Sequence, residues 1–141
     1  MSRIYHFTVP MPPEILRPNG RGSWAAKQAF GKAYAQQVGD MIHNQVIAAA
    51  PSAPWPEARK YGRLLATMCC RGAAPDPDNR VGILKPIIDV LQVANRSTGK
   101  RYRLGLITND RHLEVQPVEA CAQERALKES VIVLRLEVWN G

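Results

Sequence analysis

The sequence predicts a small α+β or mixed α/β domain spanning residues 1–141, with a mixed sheet and two main helices. Three observations carry that expectation. Two stretches alternate or run apolar at strand length, Arg63 to Cys70 and Val131 to Trp139. Two others, Trp24 to Ala49 and Ile83 to Val93, repeat apolar residues at spacings of three and four. The order strand, helix, strand, helix and then a run of strands suits helices packed on one sheet. A chain of 141 residues, 45% hydrophobic, has material for one modest core and too little for two.

The elements follow in order. Ile4 to Val9 reads as a short strand that should stop at Pro10, because Pro12 and Pro13 follow and proline does not sit inside a sheet. Residues 14–23 carry turn residues and two arginines, Arg17 and Arg21, and read as a loop. Ser23 can cap the next helix with its hydroxyl. In that helix Phe30, Tyr34, Val38, Met41, Ile42 and Val46 form the apolar stripe, with Lys27 and Lys32 off it. The proline-rich connector at 51–60 is too short to separate domains. Residues 72–77 read as a turn. In the second helix Leu84, Ile87, Ile88 and Leu91 share a face. Leu104 to Ile107 and Leu113 to Val118 read as short strands, and residues 119–130 as a hairpin loop or a short helix. In the last strand Ile132, Leu134, Leu136 and Val138 alternate with Arg135 and Glu137.

Composition narrows function. A net charge of +7 and a pI of about 9.7 favour an anionic partner. Thirteen of the nineteen cations are arginine, whose planar fork pairs with phosphate through two hydrogen bonds. Cys69, Cys70 and Cys121 follow neither a disulfide framework nor a zinc-ligand spacing, and are expected to be buried free thiols in a reducing cytosol. Met1 to Val9 is too short and polar for a signal peptide, and no apolar run reaches membrane-spanning length, so a cytoplasmic protein is expected.

Only five aspartates occur, and Asp76, Asp78, Asp89 and Asp110 lie within 35 positions of one another. Singly, each suits a turn, a cap or a surface pair. Together they suggest chemistry. Asp76 and Asp78, two apart in extended backbone at a strand end, would point the same way. Close carboxylates repel unless a cation lies between them, and oxygen-only ligands suit magnesium, with manganese as its substitute. Asp110 would stand at the end of another strand, within reach of the pair. Such a metal polarises a phosphodiester and activates water, and a lysine such as Lys85 offsets charge in the transition state.

The run D76-P-D78-N79, then L84-K85-P86-I87-I88-D89-V90-L91, then I107-T108-N109-D110 resembles the RusA family of Holliday-junction resolvases. The opening V9-P-M-P-P13 and P18-N19-G20 are similar to that family too, so the likeness covers most of the chain. The resemblance implies a magnesium-dependent endodeoxyribonuclease, in a bacterial or phage-infected cell, that resolves four-way junctions by paired nicks. Asp76, Asp78 and Asp110 would be its catalytic and metal-binding acids and Lys85 its catalytic lysine, supported by Asn79 and Asp89. It also implies a homodimer, matching a two-fold substrate. Residues 80–82 stand as three extra residues between the Asp-Asn pair and the Lys-Pro helix, and are expected to form a loop that places Pro86 at the helix start. Asn109-Asp110 stands where many relatives carry paired acids. Asp89, one turn past Lys85, is expected to pair with it and not to ligate metal.

For DNA contact the candidates are Arg96, Lys100, Arg101 and Arg103, a basic run in which the Tyr102 ring can stack on an exposed base, together with Arg17 and Arg21. Lys27 and Lys32 would extend the second group. Three other readings stand beside the resolvase: a flap or fork nuclease, a non-catalytic DNA-binding or phage accessory protein, and an RNA-directed nuclease.

Overall fold

Five chain segments build the sheet. In the computed structural model, which describes residues 1–18, 20–94 and 102–141, β1 is Arg3–Pro10, β2 Tyr61–Cys69, β3 Leu113–Val115, β4 Glu119–Cys121 and β5 Val131–Trp139. The strand order is β1-β5-β2-β3, with β4 also pairing β2. The β1–β5 and β5–β2 pairs are antiparallel, while β3 and β4 run parallel to β2. The fold is therefore the expected small α+β domain with a mixed sheet and two helices.

One face of the sheet is apolar and covered. Phe7, Val9, Leu64, Met68, Ile132, Leu134, Leu136 and Val138 point into it, each at most 3% exposed. Helix α1 (Trp24–Ala49) lays Tyr34, Val38 and Ile42 on this layer. Helix α2 (Pro77–Leu91) adds Ile83, Leu84, Ile87, Ile88, Val90 and Leu91. The other face carries Arg63, Leu65, Val133 and Arg135, partly or well exposed, with Arg63 bridging Glu114 and Glu137.

Several local expectations change. Ser23 does cap α1, its hydroxyl accepting from the Ala26 N–H. Phe30, however, is 49% exposed and no part of the core. Pro10 is the last residue of β1, opposite Val131, and not a stop before it. The neighbouring even residue shows why. Thr8 directs both its N–H and its C=O away from β5 to the Gln45 side-chain amide. Pro10, two residues on, has its nitrogen on that same outer side, so no ladder bond is lost.

Helix α2 begins six residues earlier than expected, and residues 80–82 are helix rather than loop. Pro77 supplies the fixed φ that suits a first helical position. Pro86 then falls inside the helix and removes its bond to Gly82, a cost of about 3 kcal/mol. Six buried apolar side chains, each contributing about 1.5–3 kcal/mol, outweigh that loss.

Leu104 to Ile107 is not a strand. Its N–H groups go to the end of α2, Leu104 to Val90, Gly105 to Gln92, and Leu106 and Ile107 both to Leu91. Gly105, at φ 69°, makes the turn that allows this. The expected strand at 113–118 stops at Val115, and Glu119–Cys121 is a strand followed by turns, neither hairpin loop nor helix.

Candidate functional site

Helix α2 positions the central residues. Asp76 is the residue before its first turn and Asp78 the second residue within it, so the two flank Pro77 and do not form the extended pair expected. Both are exposed, and the Asp76 carboxylate caps no N–H of the helix. The positive end of the helix nonetheless favours carboxylates there. Asn79 donates its backbone N–H to the Asp76 carbonyl at 3.0 Å. Arg80 fastens this end of α2: its guanidinium donates to the Pro75 carbonyl at 3.0 Å and to the Val118 carbonyl at 3.1 Å.

Because residues 80–82 are helical, Asp78, Gly82, Lys85 and Asp89 follow one another at intervals of four, three and four. They form a single stripe on α2. Asp78 and Lys85 are two turns apart, about 10 Å along the axis. The stripe's Gly82, Lys85 and Asp89 face α1. Gly82 sits beneath Pro18, so close that a β-carbon would stand 2.7 Å from the proline Cγ.

Between the helices lies a cleft of about 310 Å³. From α1 it receives Lys27, Gly31, Lys32 and Ala35, from α2 Gly82, Lys85, Pro86 and Asp89, and from flanking segments Arg17 and Arg103. Five cations thus face one carboxylate. None of the five belongs to an ion pair among the described residues, where Arg63 makes both bridges. Arg17 donates to the Pro12 carbonyl at 3.1 Å. The Arg103 Nε is buried with no hydrogen-bond partner, an uncommon state for a guanidinium N–H. Arg17 also lies near Tyr34, whose hydroxyl donates to the Pro10 carbonyl at 2.6 Å. Burial drives the Tyr34 hydroxyl far up from its usual range, and Arg17 draws it partly back.

Other expected contacts are absent. Asp89 does not pair with Lys85; it accepts from Gln92 Nε2 at 3.5 Å. Tyr102 is not free to stack on a base. Its ring lies against Gly39 of α1, where a β-carbon would meet Cδ1 at 2.4 Å. Arg21 is exposed at the mouth of a second hollow formed by Glu14, Ile15, Arg17 and Gly20. Arg96, Lys100 and Arg101 lie outside the described residues.

Asp110 stands apart. It opens a single 3-10 turn, Asp110–His112, immediately before β3. Leu113 of β3 is opposite Gly62, near the start of β2, and the His112 ring lies 5.2 Å from that of Tyr61. Asp76 and Asp78 follow the other end of β2, where Arg80 reaches Val118 beside the Glu119–Thr67 pair. The intervening strand separates these levels by on the order of 20 Å. Among the described residues, no three His, Cys, Asp or Glu side chains are grouped closely enough to hold a metal ion. The three acids therefore do not fit one shared ion within a single chain. Asp76 and Asp78 alone suit the mode in which magnesium takes one or two carboxylates and keeps water, with substrate phosphates completing its shell.

From sequence alone the cleft lysines of α1 stand only as an extension of the Arg17 group. Their signal is helical spacing: Lys27, Gly31 and Ala35 continue the Tyr34–Val38–Ile42 face toward the start of α1, and Lys32 lies at its edge. No family model matches the chain, and no curated protein matches it. None of its helices is long and apolar enough to cross a membrane, among the described residues.

Proposed function

We propose that this protein binds the phosphate backbone of branched DNA in the α1–α2 cleft and cleaves it as a magnesium-dependent endonuclease of the RusA kind, acting as a homodimer on four-way junctions. The observation that carries the reading is the cleft itself. Arg17, Lys27, Lys32, Lys85 and Arg103 face one carboxylate, with an unpartnered guanidinium N–H among them. Unpaired cations at such density suit a polyanion, whose condensed counterions are released on binding. Lys85 and Asp89 line that cleft, and Asp78 lies one turn before Gly82 on the same stripe of α2.

In this reading Arg17, Lys27, Lys32 and Arg103 hold the backbone, and Lys85 faces the developing charge on the phosphate. Asp76 and Asp78 are the residues that would hold magnesium, which would polarise the phosphodiester and activate water.

The place of Asp110 favours a second reading, a DNA-binding protein without nuclease activity on the same scaffold. One experiment separates the two. Wild type and Asp78→Asn are incubated with a labelled four-way junction and a matched duplex, with and without magnesium or manganese. Paired, metal-dependent nicks in the junction, lost in Asp78→Asn while binding persists, support the endonuclease. Junction binding without cleavage by wild type supports the second reading. Failure to bind either DNA sinks both.

A further inference from the structure

The three thiols do not lie on one face of the sheet. Cys70 points into the core, 2% exposed, beside Met11 Sδ at 4.0 Å and the Met68 carbonyl at 3.8 Å. Cys69 and Cys121 project from the opposite side, since neighbours along a strand alternate. They are direct partners in the parallel β2–β4 ladder. The ladder bond beside the pair, Cys70 N–H to the Cys121 carbonyl, is 2.8 Å.

Paired strands lie about 4.8 Å apart, inside the range of about 4.4–6.8 Å over which two cysteine Cα atoms accept a disulfide. Both thiols are free. Cys121 is exposed and Cys69 half-buried, so a small reagent can reach the pair. Burial, then Glu124 and then the neighbouring Cys121 and Cys70, push the Cys69 thiol up, which marks the sulfurs as electrostatic neighbours.

We propose that Cys69 and Cys121 form a reversible intrachain disulfide by exchange with a low-molecular-weight disulfide such as glutathione disulfide. The exposed Cys121 thiolate attacks one glutathione sulfur. A sulfur–sulfur bond forms to Cys121, the glutathione bond breaks, and one glutathione thiolate leaves. The Cys69 thiolate then attacks the Cys121 sulfur and displaces the second glutathione. Two protein thiols are oxidised, one glutathione disulfide is reduced to two glutathiones, and the two protons pass to the departing thiolates. The new bond staples the three-residue β4 to β2. The loop it closes contains all of α2 with Asp76 and Asp78. The site does not depend on the nuclease reading.

The test exposes the full chain to glutathione disulfide at about pH 8.5, where thiolates are populated. Thiols are then counted and non-reduced peptides mapped by mass spectrometry. The expected product has lost two thiols, is about 2 Da lighter and yields a linked Cys69–Cys121 peptide. It melts about 5 °C or more higher, because the cross-link restricts the unfolded chain. Dithiothreitol reverses each change. Cys70→Ser should keep the linked peptide and Cys121→Ser should lose it. Should Cys121→Ser fold poorly, the wild-type map still decides. A stable glutathione adduct on Cys121, a bond involving Cys70, or dimers cross-linked through Cys121 would overturn the proposal.

Discussion

The two ends of β2 are built differently. At the far end, beyond Cys69, residues 70–76 lead into α2, and Pro77 starts a helix that sets Asp76 and Asp78 at its positive tip. At the near end, Leu106 and Ile107 tie the close of α2 to Arg59, and Asp110 follows on an exposed turn before β3. The contrast has a topological cause. Strand, helix and parallel strand in succession must return the chain to where the first strand began. An acid just after β2 and an acid just before β3 therefore occupy opposite ends, however close their motifs stand in the sequence. The cationic cleft lies along α2 at Gly82, Lys85 and Asp89.

The sharpest way to break that comparison is to neutralise one acid at each end. On the proposed nuclease reading, Asp78→Asn should reduce magnesium-dependent junction nicking on the order of 100-fold or more, since even partners of metal ligands cost 10–100-fold. Asp110→Asn should reduce it by less than about 10-fold, because its carboxylate is outside that site. Equal losses in parallel cleavage assays would mean that the two ends act together.

A second change strikes the layer on which both ends rest. Leu134→Ala, at a position with no exposure, should cost about 2–5 kcal/mol in urea unfolding. The third acts where the near-end segment meets α1. Gly39→Ala drives a β-carbon into the Tyr102 ring and should destabilise by about 1–3 kcal/mol, despite alanine's better helix propensity. A melting point at or above wild type would show that the ring swings away freely. The fourth concerns the cleft alone. Lys27→Ala with Lys32→Ala should weaken junction binding and flatten the log–log salt slope by about 2, one for each phosphate contact. An unchanged slope in a salt titration of binding would move the backbone elsewhere.

The smallest effect belongs on the open sheet face. Hydrogen bonds from Gln116 and Arg63 hold the Glu114 carboxyl below its usual range. A lowered folded value means that its contribution is present above the unfolded value and fades as pH falls through the folded one. Both partners of the Arg63–Glu114 bridge are well exposed. Arg63→Ala should therefore leave the denaturation midpoint at neutral pH close to wild type, and acid titration of stability should differ little between the two.

Much of the architecture was legible because local chemistry and burial agree. Val131–Trp139 and Trp24–Ala49 appear with the bounds read from their periodicity. Local signals failed where tertiary contacts overruled them. Gly82 and Pro86 argue against helix in isolation, but burial of Ile83, Leu84, Ile87 and Ile88 keeps α2 continuous. Leu104 to Ile107 has a strand's composition, and its backbone is instead consumed by the end of α2. The stretch at 119–130 gave no periodic signal for a strand of three residues whose ladder is made with β2.

What the sequence determined by itself was therefore periodic or compositional: most of the residues that face the core, where α1 is capped, and that an arginine-rich chain has few acids to neutralise it. Tertiary structure alone decided which of those residues meet. It gathered Lys27 and Lys32 with Lys85, Arg17 and Arg103, because helix packing sets faces from distant segments against one another. It parted Asp110 from Asp76 and Asp78, because a parallel return separates what the linear order places together.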